Sequence, residues 1–482
     1  MQPSQILLLI GGYFGVLLLI SYFTNKTGSN AEFFRAGNSS PWYLVAFGMI
    51  GATLSGVTFI SVPGWVEASS FSYFQVVLGY TVGYAVIGLV LLPLYYKLNL
   101  TSIYSYLEGR FGNFSYKTGA SFFLLSRIVG ASFRLYLVAI VLQDLVFDAM
   151  NVPFWITVAI TILLIWLYTF RSGIQTIVWT DTLQTLFMLV AVGVAVYIVA
   201  GDLGLSSVDS VFGFIADSDL SRMFFFDDWR SGDHFVKQFL SGAFIAIVMT
   251  GLDQDMMQKN LTCRSVKDAQ KNMFWFTIVL TLVNFVFLAL GLLLTVYAEQ
   301  HGIDAHRDKL FSTIAVESGL GIGMAILFLL GLIAAAYSSA DSALTSLTTS
   351  FSIDILDIEK KYNEKEQVRI RKKIHVIMSF VLMVVIIIFN YIIADASVIA
   401  KLFTFACYTY GPLLGLYAFG LFTKWKVKDM WVPVVAILTP FIGWVISYIS
   451  LKYLNFDWQF FILVLNGALT FLGLILIRTQ KN

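Results

Sequence analysis

The chain has 482 residues, of which 58% are hydrophobic and only 12% charged. A soluble domain carries about 25% charged residues, so a water-soluble enzyme is excluded, and an aromatic share of 16% excludes a disordered chain. The net charge of +2 is too small to mark a nucleic-acid partner or a polybasic lipid patch. Two cysteines, Cys263 and Cys407, cannot build a disulfide framework, and the four histidines show no metal-ligand spacing.

What remains is an all-α membrane protein. A bilayer-spanning helix takes about 20 apolar residues, and thirteen long apolar windows can be read along the chain. They lie near 4–23, 43–69, 74–96, 118–146, 153–170, 174–200, 236–257, 272–298, 320–350, 374–394, 397–421, 430–450 and 457–477. The first follows MQPSQ, with neither a basic leader nor a cleavage site, and reads as a retained helix. The loops are short. The longest covers 201–235, and 303–318 reads as a short outer helix lying across the mouth.

Lys and Arg in the loops set the orientation. With the N-terminus outside, the inner side takes 22 of the 31 basic residues, including Lys26, Arg35, Arg171, Lys259, the run from Lys360 to Lys373, and Lys481. The outer side keeps Arg222, Arg230, Lys237, Arg307, Lys309, Lys401 and Lys452, in loops that are otherwise acidic.

Two windows differ from the rest. The second carries Gly48, Gly51, Gly56, Pro63 and Gly64; the seventh carries Gly242, Gly251 and an acidic end. Each heads a block of five helices, and glycine- or proline-interrupted helices at matching places in two halves point to an inverted-repeat transporter. The chain then divides into an extra N-terminal helix with its inner loop (1–42), a first repeat (43–200), an outer loop (201–235), a second repeat (236–421) and two C-terminal helices (422–482).

Polar residues inside apolar windows carry the chemistry. In the ninth window Ser338, Ser339, Ser342, Thr345, Ser346 and Thr349 recur at steps of three and four, which puts a hydroxyl stripe on one helix face. Polar groups in hydrocarbon need partners. Neutral hydroxyls with backbone carbonyls from a broken helix suit a hard cation such as Na+. Asp341 lies in the same stripe and Asp181 in the sixth window, and a buried acid in a membrane is a functional candidate for an ion or a proton. Arg127 and Arg134 are two turns apart on the fourth window. They need acids, carbonyls or an anionic ligand, and a bidentate clamp on a carboxylate is one such use. Asp253 and Asp255 close the seventh window, either as charges at a cytoplasmic helix end or as an inner-gate ion pair.

IGATLSGVTFI at 50–60, WTDTLQ at 179–184, GLDQDMMQKNLTCRSVKDAQK at 251–271, AAAYSSADSALTSLTTSFSIDI at 334–355 and GPLLGLYAFGLF at 411–422 together resemble the sodium/solute symporter family, the group of the bacterial sodium–galactose, sodium–proline and sodium–sialic acid transporters. The resemblance implies a LeuT-type five-plus-five inverted repeat of about 13 transmembrane helices, with one helix before it and two after. It implies a main Na+ site from the carbonyls of Gly51, Leu54 and Ala335 and the hydroxyls of Ser338 and Ser339. A second Na+ or proton site would use Asp181, Ser338, Asp341 and Ser342. Ser55, Thr58 and Gln75 fall on the cavity side by family placement and, with Arg134, would accept a small carboxylate. Ala246 and Met249 stand where the galactose transporters have polar contacts, which disfavours galactose. The expected protein is not an enzyme but a secondary transporter of a bacterial cytoplasmic membrane. Its partners are the lipid bilayer, the coupling ion Na+ and a small organic solute. The other classes to weigh are a proton-coupled carrier using Asp181 and Asp341 and a membrane sensor without flux.

Overall fold

In the computed structural model the described residues are 3–24, 40–169, 174–392 and 398–479. Lys26, Arg35, Arg171 and Lys481, used above for orientation, lie outside them. Every apolar window has become helix. In chain order these are α1 (Pro3–Thr24), α2 (Trp42–Thr53), α3 (Gly56–Ser69), α4 (Tyr73–Lys97), α5 (Asn113–Met150), α6 (Phe154–Thr169), α7 (Ile174–Asp202), α8 (Phe235–Gly251) and α9 (Gln254–Asn260). They continue as α10 (Val266–His301), α11 (Leu310–Glu317), α12 (Ile322–Ile355), α13 (Glu364–Ile392), α14 (Val398–Phe422), α15 (Val432–Leu454) and α16 (Ile462–Leu476). Among the described residues, ten helices are long and apolar enough to cross a bilayer by themselves; α2 with α3, and α8 with α9, are two further spans bent by 57° and 69° at their breaks. The shorter α6 completes the set.

Burial sorts the helices into an inner and an outer layer. Most of α5 and α12 is buried, whereas α1 and α15 are largely exposed. On α15 the exposed side chains include Ile437, Phe441, Trp444 and Tyr448, as expected of a helix that faces lipid and is apolar all round. Between inner helices water gives no driving force for association, so close contact depends on small residues. A Cβ on Gly79 or Gly83 would collide with the backbone carbonyls of Phe239 or Ala243, and one on Gly242 with that of Val76. Those glycines let α4 and α8 touch backbone to backbone. Gly48 and Gly51 do the same for α2 against α7, where a Cβ would press on Asp181 and Thr185.

The ends are pinned by polar contacts. Asp429 accepts from the Phe114 and Ser115 amides at 2.8 Å each and so caps α5. Lys426–Val427 pairs antiparallel with Arg478–Thr479 in a two-stranded sheet. The long loop 201–235 contains a short helix, Val208–Ala216, with a reciprocal Ser207–Ser210 capping box. The stretch read as an outer helix is helical over α11.

Candidate functional site

The site is built where two helices break. Leu54 leaves the helical region (φ −79°, ψ 76°) and Ser55 is extended (φ −75°, ψ 174°) before α3 begins. The last carbonyls of a helix have no partner within it. Here Thr53 O takes the Ser55 amide at 3.0 Å, and Ala52 O takes the Ser339 hydroxyl at 3.2 Å. Ser339 Oγ also reaches Ala335 O at 3.3 Å. The break in α2–α3 and the hydroxyl stripe of α12 therefore face each other directly, with a cluster of oxygens between them.

The adjacent hydroxyl, Ser338, donates to Asp181 Oδ1 at 2.6 Å. Its proton points at a carboxylate, so its lone pairs remain for another partner. The other oxygen of Asp181 faces Lys259 Nζ at 2.7 Å. Asp181 is fully buried and Lys259 is 1% exposed. Lys259 is therefore no loop charge of the inner face, as the tally of basic residues had it; α9 carries it into the protein. Asp341 is buried as well, and its Oδ1 accepts the Ser342 amide at 2.5 Å. The hydroxyls of Ser342 and Thr345 are buried with no hydrogen-bond partner among the described residues.

The second break orders a charged cluster. Asp253 is extended and its Oδ1 accepts the amides of Asp255, at 2.9 Å, and Met256, capping α9. Tyr410 on α14 donates to Asp253 Oδ2 at 2.5 Å. Arg127 of α5 forms an ion pair with Asp255 and stands 3.8 Å from Asp253. Asp253 and Asp255 are both buried, which corrects the reading of them as charges at a cytoplasmic helix end: the break turns them inward, onto Arg127.

Between these two clusters lies a cavity of about 70 Å3. Thr53, Ser55 and Thr58 line it from the first break, Tyr73, Tyr80 and Tyr84 from α4, and Arg127 and Arg134 from α5. Ala246, Met249, Asn284 and Phe403 complete the wall. Among the described residues, the two arginines are the charged groups of the lining, and no Asp or Glu joins them. Arg127 is taken by Asp255. Arg134 is 8% exposed and its Nε has no hydrogen-bond partner among the described residues.

Gln75 does not line this cavity. Its amide nitrogen donates to Ser72 O at 3.2 Å and Asp233 O at 2.9 Å, and its oxygen accepts the Phe225 amide at 3.1 Å. It holds the outer loop against α4. The tyrosines of α4, Asn284 and the Lys259 contact escaped the sequence reading. The tyrosines recur at steps of seven and four on one helix face, which was the available signal.

The Sodium:solute symporter family matches residues 33–427. The chain belongs to this family. Among curated relatives, the sodium/sialic acid symporter NanT of Aliivibrio fischeri is 26% identical over 424 residues, 86% of this chain and 82% of that one. The sodium/sialic acid symporter SiaT of Proteus mirabilis is 25% identical over 426 residues, 86% and 84% of the two chains. The Xenopus laevis sodium-coupled monocarboxylate transporter 1 is 25% identical over 274 residues, 56% of this chain and 42% of that protein. Among solved structures, the substrate-bound outward-open state of a Na+-coupled sialic acid symporter superposes with a TM-score of 0.80 at 20% identity, covering 99% of both chains. The nucleobase-cation-symport-1 transporter Mhp1 in a closed conformation gives 0.59 at 16% identity, over 94% of this chain and 95% of that one. The fold is thus the LeuT-type inverted repeat. This symporter is an integral membrane protein that couples Na+ to solute transport and is not an enzyme. The proton-coupled and non-transporting readings are not favoured by these relatives.

Proposed function

We propose that the solute is a small carboxylate held by Arg134, and that the Na+ that drives it sits at the α2–α3 break. A single observation carries the first part: a buried guanidinium lines a cavity without acids, while its neighbour Arg127 is already paired. Arginine stays charged when buried, so such a group calls for an anion, and its fork matches a carboxylate bidentately. The cavity is small, about 70 Å3, which supports a compact acid. Relatives are named for sialic acid and for monocarboxylates.

Na+ is a hard cation that takes oxygen ligands. The carbonyls of Gly51, Leu54 and Ala335 and the hydroxyls of Ser338 and Ser339 supply five, from the broken span and from α12. Binding Na+ ties α2 to α12 and fixes the break whose other side, Ser55 and Thr58, faces the solute. Ion and solute each stabilise the same arrangement, which couples them by differential affinity. In the same reading Arg127 with Asp255 and Asp253 closes the inner path until the solute-bound state releases it. The N-terminus is outside and the C-terminus inside a bacterial cytoplasmic membrane. Five-helix repeats at 43–200 and 236–421 move against one another around the site.

The test is uptake into proteoliposomes under an inward Na+ gradient, with monocarboxylates, sialic acid, amino acids and sugars as solutes. A compact carboxylate is expected to be taken up, with Arg134→Ala losing uptake at least about tenfold, the scale of a charge-assisted hydrogen bond, and Arg134→Lys retaining part of it. Transport of neutral solutes alone, or an unaffected Arg134→Ala, overturns the reading.

A further inference from the structure

The ion pair between Asp181 and Lys259 has no place in the mechanism so far. It lies deep between α7 and α9, with both groups at least 99% buried and 2.7 Å apart. Taking two charges out of water is costly even when they are paired, so the arrangement calls for a reason. The surroundings have the composition of a cation site. Asp181 shares its other oxygen with Ser338 at 2.6 Å. Asp341 and Ser342 sit three and four residues beyond Ser338, hence on the same face of α12. The Ser342 hydroxyl is buried and unpartnered, and Lys259 Nζ has no hydrogen-bond partner beyond its ion pair among the described residues. An ammonium offers three donors, and here they meet one carboxylate oxygen. Lys259 is carried by α9, a helix whose start is fixed by the Asp253 cap.

We propose that Lys259 is a tethered cation: its ammonium takes the place beside Asp181 and Ser338 that a second Na+ would need, so this chain moves one Na+ per solute. The charge at Asp181 is balanced by a group that never leaves the protein. Free Na+ then binds only at the α2–α3 break. One coupling ion sets the energetics of the cycle. One Na+ with one monocarboxylate is electroneutral transport, whereas two Na+ with the same solute would carry one positive charge inward. The ion count is independent of the solute's identity; the electrical consequence rests on the carboxylate reading above.

The experiment compares the wild type with Lys259→Met and with the double variant Lys259→Met/Asp181→Asn, all reconstituted full length. The readouts are the ratio of 22Na+ to labelled solute taken up, the Na+ Hill coefficient, and the Na+-induced rise in Tm. The wild type is expected to give a ratio and a Hill coefficient of about 1 and uptake indifferent to an imposed inside-negative potential. In Lys259→Met the ratio rises toward 2, the potential drives uptake, and Na+ raises Tm more steeply. The double variant, with no charge left at the pair, returns to the wild-type ratio. A wild-type ratio of 2 overturns the proposal, because Na+ and the ammonium would then coexist, and so does a Lys259→Met protein that folds and keeps a ratio of 1. Should Lys259→Met not accumulate, the wild-type ratio decides alone: 1 supports the proposal and 2 ends it. A flux ratio of 1 with potential-driven uptake would instead keep Lys259 in its role and remove the carboxylate.

Discussion

Ser339 bridges the break to α12: its hydroxyl reaches Ala52 O on α2 at 3.2 Å and Ala335 O on its own helix at 3.3 Å. Removing its oxygen takes one of the five ligands proposed for Na+ and leaves no buried charge behind. Ser339→Ala is expected to fold normally, with Tm unchanged in Na+-free buffer, and to raise the half-saturating Na+ concentration of uptake about tenfold or more, the worth of one hydrogen bond to a charged group. Unaltered Na+ activation would remove Ser339 from the site. Arg127 behaves differently because it is paired. Arg127→Ala leaves Asp255 buried and uncompensated, which costs about 3–5 kcal/mol, whereas Arg127→Met with Asp255→Leu removes both charges and should recover most of that loss. Thermal unfolding in detergent of the wild type, Arg127→Ala and the double variant measures it, and equal Tm values across all three would mean that the pair contributes nothing. Legibility in the sequence followed the same division. The hydroxyl stripe and Arg134 could be read because a polar residue in an apolar window is conspicuous. Lys259 was counted among loop charges because its partner depends on a backbone bend of 69° that periodicity does not encode, and Gln75 was misplaced because its partners Asp233 and Phe225 come from a loop distant in sequence.

Among the elements, the breaks were legible and their consequences only partly so. Glycines and Pro63 marked the second window and glycines with an acidic end the seventh, and both are bent. Why Gly48 and Gly51 are glycine emerges only from the packing: α7 passes so close that Asp181 and Thr185 occupy the space of a side chain. Gly51→Ala would press its methyl onto Thr185 Oγ1, which already bonds Phe47 O at 3.0 Å and Asp181 O at 2.7 Å. Overpacking of this kind costs about 1–3 kcal/mol. The variant should lose Tm and Na+ affinity together, and adding Thr185→Ala should restore part of both; Gly51→Ala with wild-type Na+ affinity would show that the approach of α7 is irrelevant to the ion. The outer half of the same broken span, α3, is linked to the loop ahead of α11 through His306, which meets Glu67 at 2.7 Å and Asp304 at 3.1 Å. Glu299 lines a cavity together with Glu67, Asp304 and His306. The hydrogen bond and charge of Glu67 raise the His306 pKa above its usual 6.5. A raised pKa means that the link is fully present below pH 6.5 and is lost as pH rises through the higher folded value. The wild type should therefore lose a small increment of Tm between about pH 6 and 8, and His306→Gln should flatten that slope. A slope that persists in His306→Gln would place the titrating group elsewhere.

For the whole molecule, the fold was legible because thirteen apolar windows leave few architectures, whereas the solute was not, because specificity rests on a handful of side chains brought together from α3, α4, α5, α8 and α14. Yet the same architecture makes coupling measurable without knowing how the helices move. If Na+ at the break and solute beside it favour one arrangement, each must raise the other's affinity by the same factor, since the two routes around the binding cycle share their ends. Ligands that bind only the folded state also stabilise it, by about 2.7 kcal/mol at a hundredfold excess over Kd. Tm measured over a grid of Na+ and carboxylate concentrations therefore yields both affinities and their coupling. A factor of about 5–150 is expected, the usual span for linked sites, and it should fall toward 1 in Ser339→Ala, where the ion loses its bridge to α12. Arg134→Ala should abolish the solute effect and leave Na+ stabilisation intact, because Arg134 lines the cavity without being one of the five ligands. Independent stabilisation by Na+ and solute, with a factor of 1 in the wild type, would separate the two sites and refute the arrangement in which one broken helix serves both.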